Sequence, residues 1–231
     1  MAGPQLIAPN VSPWGSVSPD GLLISYVDRE GNLILREVHS GKEDRLTVRF
    51  ANSREAIGAS VLSRDSRWIA YAHYHEDQTV ELRVIAIDSL DPRVVYRSEA
   101  RVAMVPWGWS GDGKSVLATI GREAVIVPLD EGSPRRLLDF GERAVGGVAW
   151  SPDGKWLAHD GDGRVALFEL ASGMERVVAE EGRLPMWSAD GAWLGYQREG
   201  KLWRWPVSGG PAVLEREGFR AARPWGWAAN G

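Results

Sequence analysis

One four-residue cluster returns along this chain at nearly constant intervals, and it constrains the fold more than any other feature. It reads Ser18-Pro19-Asp20-Gly21, Ser63-Arg64-Asp65-Ser66, Ser110-Gly111-Asp112-Gly113, Ser151-Pro152-Asp153-Gly154, Ser188-Ala189-Asp190-Gly191 and, weakened, Ala228-Ala229-Asn230-Gly231. The first residues lie 45, 47, 41, 37 and 40 positions apart, an average of 42. Self-similarity at roughly 40–45 residues is the period of a four-stranded propeller blade, which buries its faces only by stacking on neighbours around a ring.

The flanking columns read as strands. Val17, Leu62, Trp109, Trp150, Trp187 and Trp227 precede the cluster, and runs such as Leu22-Leu23-Ile24-Ser25-Tyr26, Arg67-Trp68-Ile69-Ala70-Tyr71, Lys155-Trp156-Leu157-Ala158-His159 and Ala192-Trp193-Leu194-Gly195-Tyr196 follow it. These runs are rich in aromatic and branched residues. Neighbouring positions are apolar on both strand faces, as expected of an inner strand sandwiched between two blades. Ser-Pro-Asp-Gly itself suits a hairpin turn: Pro presets φ, Asp bonds nearby backbone, and Gly accepts positive φ. A second turn follows in each unit at Asp28-Arg29-Glu30-Gly31, Glu76-Asp77-Gln78, Asp160-Gly161-Asp162-Gly163 and Arg198-Glu199-Gly200. Beyond it come a third strand and a short outer fourth, in which Pro92, Pro134 and Pro211 fit an edge position. No segment shows a helical period.

In these residues the chain resembles the TolB-like β-propellers, whose WD-type blades carry the signature seen here at Trp150-Ser151-Pro152-Asp153-Gly154-Lys155-Trp156-Leu157-Ala158. The resemblance runs through five repeats. Unit two departs most, with Arg64 and Ser66 in its turn. The expected fold is all-β: a propeller of four-stranded antiparallel blades, five repeats plus the first strand of a sixth. As one domain, residues 1–231 divide into units at 8–50, 51–97, 98–139, 140–180 and 181–215, and a partial last blade takes 216–231 together with an N-terminal strand at 4–7.

That N-terminal strand, Pro4-Gln5-Leu6-Ile7, matches the outer-strand pattern Pro211-Ala212-Val213-Leu214 and is expected to close the ring. The chain stops at Asn230-Gly231, within the turn that elsewhere launches a second strand. A ring of at least six blades, cut from a longer polypeptide, is therefore expected. Open edges invite pairing with another chain, so edge-strand dimerisation of the fragment is anticipated.

Composition narrows the chemistry. The 231 residues contain no cysteine, which removes thiol catalysis, disulfides and cysteine-ligated metals. A net charge of −4 argues against nucleic acid as a partner, and no apolar run approaches the ~20 residues of a spanning helix, so no membrane insertion is expected.

Several motifs imitate active sites. Gly108 to Ser115 satisfies G-x-x-x-x-G-K-S, yet Val116-Leu117-Ala118-Thr119-Ile120 reads as a strand where a phosphate loop needs a helix. Residues 108–111 nearly spell G-x-S-x-G without its strand-turn-helix context, and Gly161 to Ala166 imitates a dinucleotide fingerprint with the same defect. His73 and His75 share a strand face, with Glu76 and Asp77 as possible oxygen donors, but read first as an exposed polar hairpin tip. His159 falls in the column of Tyr26, Tyr71 and Tyr196 and is expected to be packed. Asp160 and Asp162 are too few for calcium. The turn aspartates recur once per unit, which marks them as structural, since acid-base catalysis needs an asymmetric pair. The doubled tryptophans Trp107-Gly108-Trp109 and Trp225-Gly226-Trp227 read first as packing between blades, with ligand stacking as the alternative.

One constellation suggests binding. Arg54, Arg101, Arg143, Arg183 and Arg223 precede their turns by five to nine residues, near the entrance of each inner strand. Such entrances ring one channel mouth, where guanidinium groups can hold an acidic peptide. The chain is thus expected to be a non-catalytic protein- or peptide-binding module without metal or cofactor. The resemblance implies a cell-envelope interaction module if a signal lies outside this chain. The alternative is the substrate-gating propeller of a prolyl-oligopeptidase-type serine peptidase, whose catalytic domain would lie elsewhere.

Overall fold

In the computed structural model, which describes residues 15–48, 54–143 and 145–218, the repeat becomes five four-stranded antiparallel sheets whose strands pair in chain order. Blade one contains β1 (Ser16–Val17), β2 (Leu23–Val27), β3 (Leu33–Glu37) and β4 (Glu43–Arg45). Blade two contains β5 (Ala56–Leu62), β6 (Trp68–Tyr74), β7 (Val80–Ala86) and β8 (Arg93–Ser98). Blade three contains β9 (Met104–Trp109), β10 (Ser115–Ile120), β11 (Glu123–Pro128) and β12 (Arg135–Asp139). Blade four contains β13 (Val148–Trp150), β14 (Trp156–His159), β15 (Val165–Glu169) and β16 (Glu175–Ala179), with a 3-10 turn at Gly161–Gly163 between its middle strands. Blade five contains β17 (Arg183–Trp187), β18 (Trp193–Arg198), β19 (Lys201–Pro206) and β20 (Val213–Arg216). The proposed closing strand 4–7, most of the first strand before Ser16, and Arg223, Trp225 and Trp227 of the sixth unit lie outside the described residues.

The repeated cluster builds the same turn five times. Each Ser hydroxyl donates to the Asp two residues on, at 2.5 Å in Ser18-Asp20 and 2.6 Å in the other four. The same Ser oxygen accepts the backbone N–H five residues on, from Leu23, Trp68, Ser115, Trp156 and Trp193 at 2.9–3.0 Å. The Asp carboxylate accepts the N–H two residues on, so both strand stubs are tied to one side-chain pair. Unit two makes the identical turn, but Ser66 sits at φ 59° where the other units place Gly at 70–73°. A residue with a Cβ is held there against its preference.

Both faces of the second strands β2, β6, β10, β14 and β18 are largely buried, which explains their unbroken apolar runs. In β6, Ala70 and Ala72 pack with Met104, Val116 and Val125 of blade three, while Ile69 and Tyr71 pack with Leu33 and Leu35 of blade one. Leu157 joins Leu117 and Val148 between blades three and four, and its neighbour Ala158 joins Leu194 and Tyr196 between blades four and five. The column tryptophans add a directed tie. The indole N–H of Trp109 donates to Val61 O at 3.1 Å, and that of Trp187 to Ala149 O at 3.2 Å, each reaching the preceding blade's inner strand. Trp150 departs from this pattern, donating to Gly154 O within its own turn at 3.2 Å.

Candidate functional site

The inner strands β1, β5, β9, β13 and β17 wall a central channel with a cavity of about 520 Å³. Its lining includes Ser18, Pro152 and Ser188, so the repeated turns lie at one end and the strand entrances at the other. Bulges bend three of the five inner strands. In β9 the register passes from Leu117 opposite Gly108 to Ala118 opposite Pro106, which leaves Trp107 as the extra residue. This slip separates the two tryptophans. Both border the channel, but Trp109 is buried against blade two, whereas Trp107 is half-buried and packs toward blade four, its indole N–H on Thr119 Oγ1 at 3.0 Å. Gly108 beside it faces open space, since a side chain there would meet nothing within 4 Å.

The four described arginines of the proposed mouth stand at the entrance end and are absent from the described cavity lining. Arg54 precedes β5, is exposed, and donates its backbone N–H to Glu76 Oε1 at 2.7 Å. Arg101 is exposed and reaches Gln78 Oε1 at 3.3 Å. Arg143 lies 3.5 Å from Glu175 Oε1, with its guanidinium 5.7 Å from the Phe140 ring centre. Arg183 opens β17 and is exposed. Arg223 lies outside the described residues. A different arginine, Arg64, lines the channel from the turn end. It occupies the position held by Pro19 and Pro152 in other units; the signal that could have found it was this departure from the repeat.

Blade two carries the densest cluster of ionisable groups. Glu55 lies 3.1 Å from His73 Nε2 and 3.3 Å from His75 Nδ1. His75 Nε2 lies 3.0 Å from Glu81, which Arg83 meets at 2.6 Å and Arg97 at 3.0 Å. The histidines are not an exposed hairpin tip, since their side chains are only 13% and 19% exposed. Burial and the neighbouring Arg83 charge push His73 below the ordinary imidazole value. Burial pushes Glu55 and Glu81 up, but contacts to the histidines, and for Glu81 also to Arg83, outweigh it and hold both below the carboxylate norm. Sequence reading looked to Glu76 and Asp77 for oxygen donors beside the histidines. Antiparallel pairing supplies different ones, because Ile57 stands opposite His73 and His73 opposite Glu81.

Solved structures with this architecture include TolB from Acinetobacter baumannii, with TM-score 0.66 and 20% identity over 84% of this chain and 51% of that one. The chain has a TolB-like propeller fold. It spans about half the length of that TolB. An oligogalacturonate lyase from Vibrio parahaemolyticus superposes with TM-score 0.67 at 13% identity, over 88% of this chain and 65% of the lyase. A chain of a nidogen/laminin complex gives 0.64 at 12% identity, over 84% of this chain and 75% of that one. No family model and no curated protein sequence matches the chain. At these identities the likeness is one of fold.

Within the TolB-like ring the other motifs find structural roles. Gly108 to Ser115 spans the end of β9, a turn and the start of β10, with no helix to receive a phosphate. Gly161 to Ala166 runs from the 3-10 turn into β15. His159 is buried as its column predicts, edge-on to Phe140 with ring centres 5.3 Å apart. Asp160 is no calcium ligand in waiting. It is 3% exposed, and its carboxylate accepts N–H groups from Gly146 and Gly147 at 2.7 Å and from Leu184 at 2.8 Å, tying blade four to blade five. Among the described residues, no helix is long and apolar enough to cross a membrane.

Proposed function

We propose that the chain is a non-catalytic binding module whose propeller channel receives an acidic segment of a protein or peptide partner. The observation that carries this reading is the channel of about 520 Å³, walled by inner strands of all five blades, with Trp107 on its wall and Arg64 at its turn end. An aromatic wall supplies apolar contact area, and a guanidinium offers paired donors to a carboxylate. At the opposite end Arg54, Arg101 and Arg183 are exposed, and together with Arg143 and Arg223 they would present a second cationic rim to an arriving acidic chain. The likeness to a chain of a nidogen/laminin complex supports protein recognition as a use for this architecture.

Tryptophan fluorescence titrated with short synthetic peptides of equal length, acidic, neutral and basic, tests the reading. The acidic series should bind, and Arg64→Ala and Trp107→Ala should each weaken it about tenfold, the ~1.4 kcal/mol expected of an interface anchor. Equal response to acidic and basic peptides, or indifference to both substitutions, would overturn it.

A further inference from the structure

We infer that Glu55, His73 and His75 form a site for a divalent first-row transition metal, on the face of blade two turned toward blade one. The placement follows from strand geometry. Residues 69, 71, 73 and 75 alternate onto one side of β6 and its continuation, the side on which Ile69 and Tyr71 meet blade one. Pairing of Ile57 with His73 brings Glu55 to the same spot, so that one ligand atom from each residue lies within 4.8 Å of the others. Two donors held at ~2.0–2.1 Å from a tetrahedral ion are themselves ~3.3–3.5 Å apart. The Glu55 oxygens already stand 3.1 and 3.3 Å from the two ring nitrogens.

The second contact of His75 gives the cluster an outer partner as well as an inner one. His75 has a carboxylate at each ring nitrogen, Glu55 at Nδ1 and Glu81 at Nε2. A neutral imidazole carries one N–H and satisfies one of these contacts, whereas a doubly protonated ring donates to both. Glu81 is the fixed acceptor: its side chain is 5% exposed and is clamped by Arg83 and Arg97. Arg83 Nη2 also lies 3.4 Å from His75 Nε2, but its 2.6 Å contact with Glu81 is much the shorter. A ring that gives a single proton to Glu81 from Nε2 directs its Nδ1 lone pair toward Glu55, where a cation can take it. A cation among Glu55 Oε, His73 Nε2 and His75 Nδ1 would occupy the place of the second proton.

A ligating histidine that gives its second N–H to a buried carboxylate is the usual outer arrangement of a metal site, and Glu81 occupies that place. Two imidazoles with one carboxylate suit zinc and its neighbours and disfavour calcium, which takes oxygen ligands. Three protein ligands leave a position for water or an exchangeable group. The site stands apart from the described channel lining.

Isothermal titration of the chelator-stripped full chain with Zn²⁺ should give one ion per chain, and Ca²⁺ should give no binding. Glu55→Gln and the double variant His73→Asn/His75→Asn should weaken Zn²⁺ by more than ~100-fold, and Glu81→Gln by ~10–100-fold. His39→Asn should change nothing, and circular dichroism of each variant separates lost ligands from lost fold. Replacement of the bound ion by Co²⁺ should produce visible bands that vanish in Glu55→Gln. Absence of Zn²⁺ binding, or affinity that survives the Glu55 and double-histidine substitutions in folded protein, would overturn the assignment.

Discussion

The two ends of the propeller differ in kind. At the turn end, five blades repeat one bonding scheme, Ser to Asp and both to the returning strand. At the other end each blade differs. Blade two gathers Glu55, His73, His75, Glu81, Arg83 and Arg97. The Tyr74 hydroxyl reaches blade three, accepting Met104 N–H at 3.0 Å and donating to Met104 O at 3.2 Å. Blade four sends Asp160 to the backbone of blade five. Repetition keeps a blade a blade; asymmetry ties particular neighbours together and concentrates unlike charges, which is where chemistry can arise.

If that contrast is real, breaking one end should not cost what breaking the other does. Asp160→Ala removes the acceptor for three backbone N–H groups in a buried place, and each orphaned donor costs roughly 1–3 kcal/mol. A loss of at least ~3 kcal/mol should appear as a lower urea midpoint. Ser151→Ala removes one donor and one acceptor from a single turn and should cost only ~1–2 kcal/mol in the same assay. Equal losses would erase the distinction between a tie and a repeat.

The turn aspartates also predict acid behaviour. Hydrogen bonds from Ser18, Ser63, Ser110, Ser151 and Ser188, first among the causes, hold all five carboxyls below their ordinary value of 3.8. The folded chain therefore binds fewer protons in acid than the unfolded one. The stability they contribute is present in full above that value and drains away as pH falls through the lower folded values. Melting temperatures measured across pH should fall below about pH 4, and less steeply in Ser151→Ala. The smallest expected effect has the opposite sign. Ser66→Gly relieves a positive φ and should raise stability by ~0.5–1 kcal/mol, bringing unit two into line with the other turns.

Much of the architecture was legible because it is periodic. The five turns, the burial of His159 in a tyrosine column and the doubly covered second strands all follow from local pattern repeated at a fixed interval. Trp107 and Trp109 show where pattern stops. Two positions apart they would share one strand face, and only the bulge in β9 sends one toward blade four and the other toward blade two. Arg64 was visible as a misfit in the repeat, but its position on the channel depends on how the blades close around the axis. Glu55 and Glu81 carry no mark in the chain that pairs them with His73 and His75. By itself the sequence determined the blade, since turn chemistry and two-sided apolar runs act between near neighbours. The tertiary structure alone decided which charges meet, because strand register and blade packing join residues such as Glu55 and His73, 18 positions apart, and Arg143 and Glu175, 32 apart, and no local preference specifies such contacts.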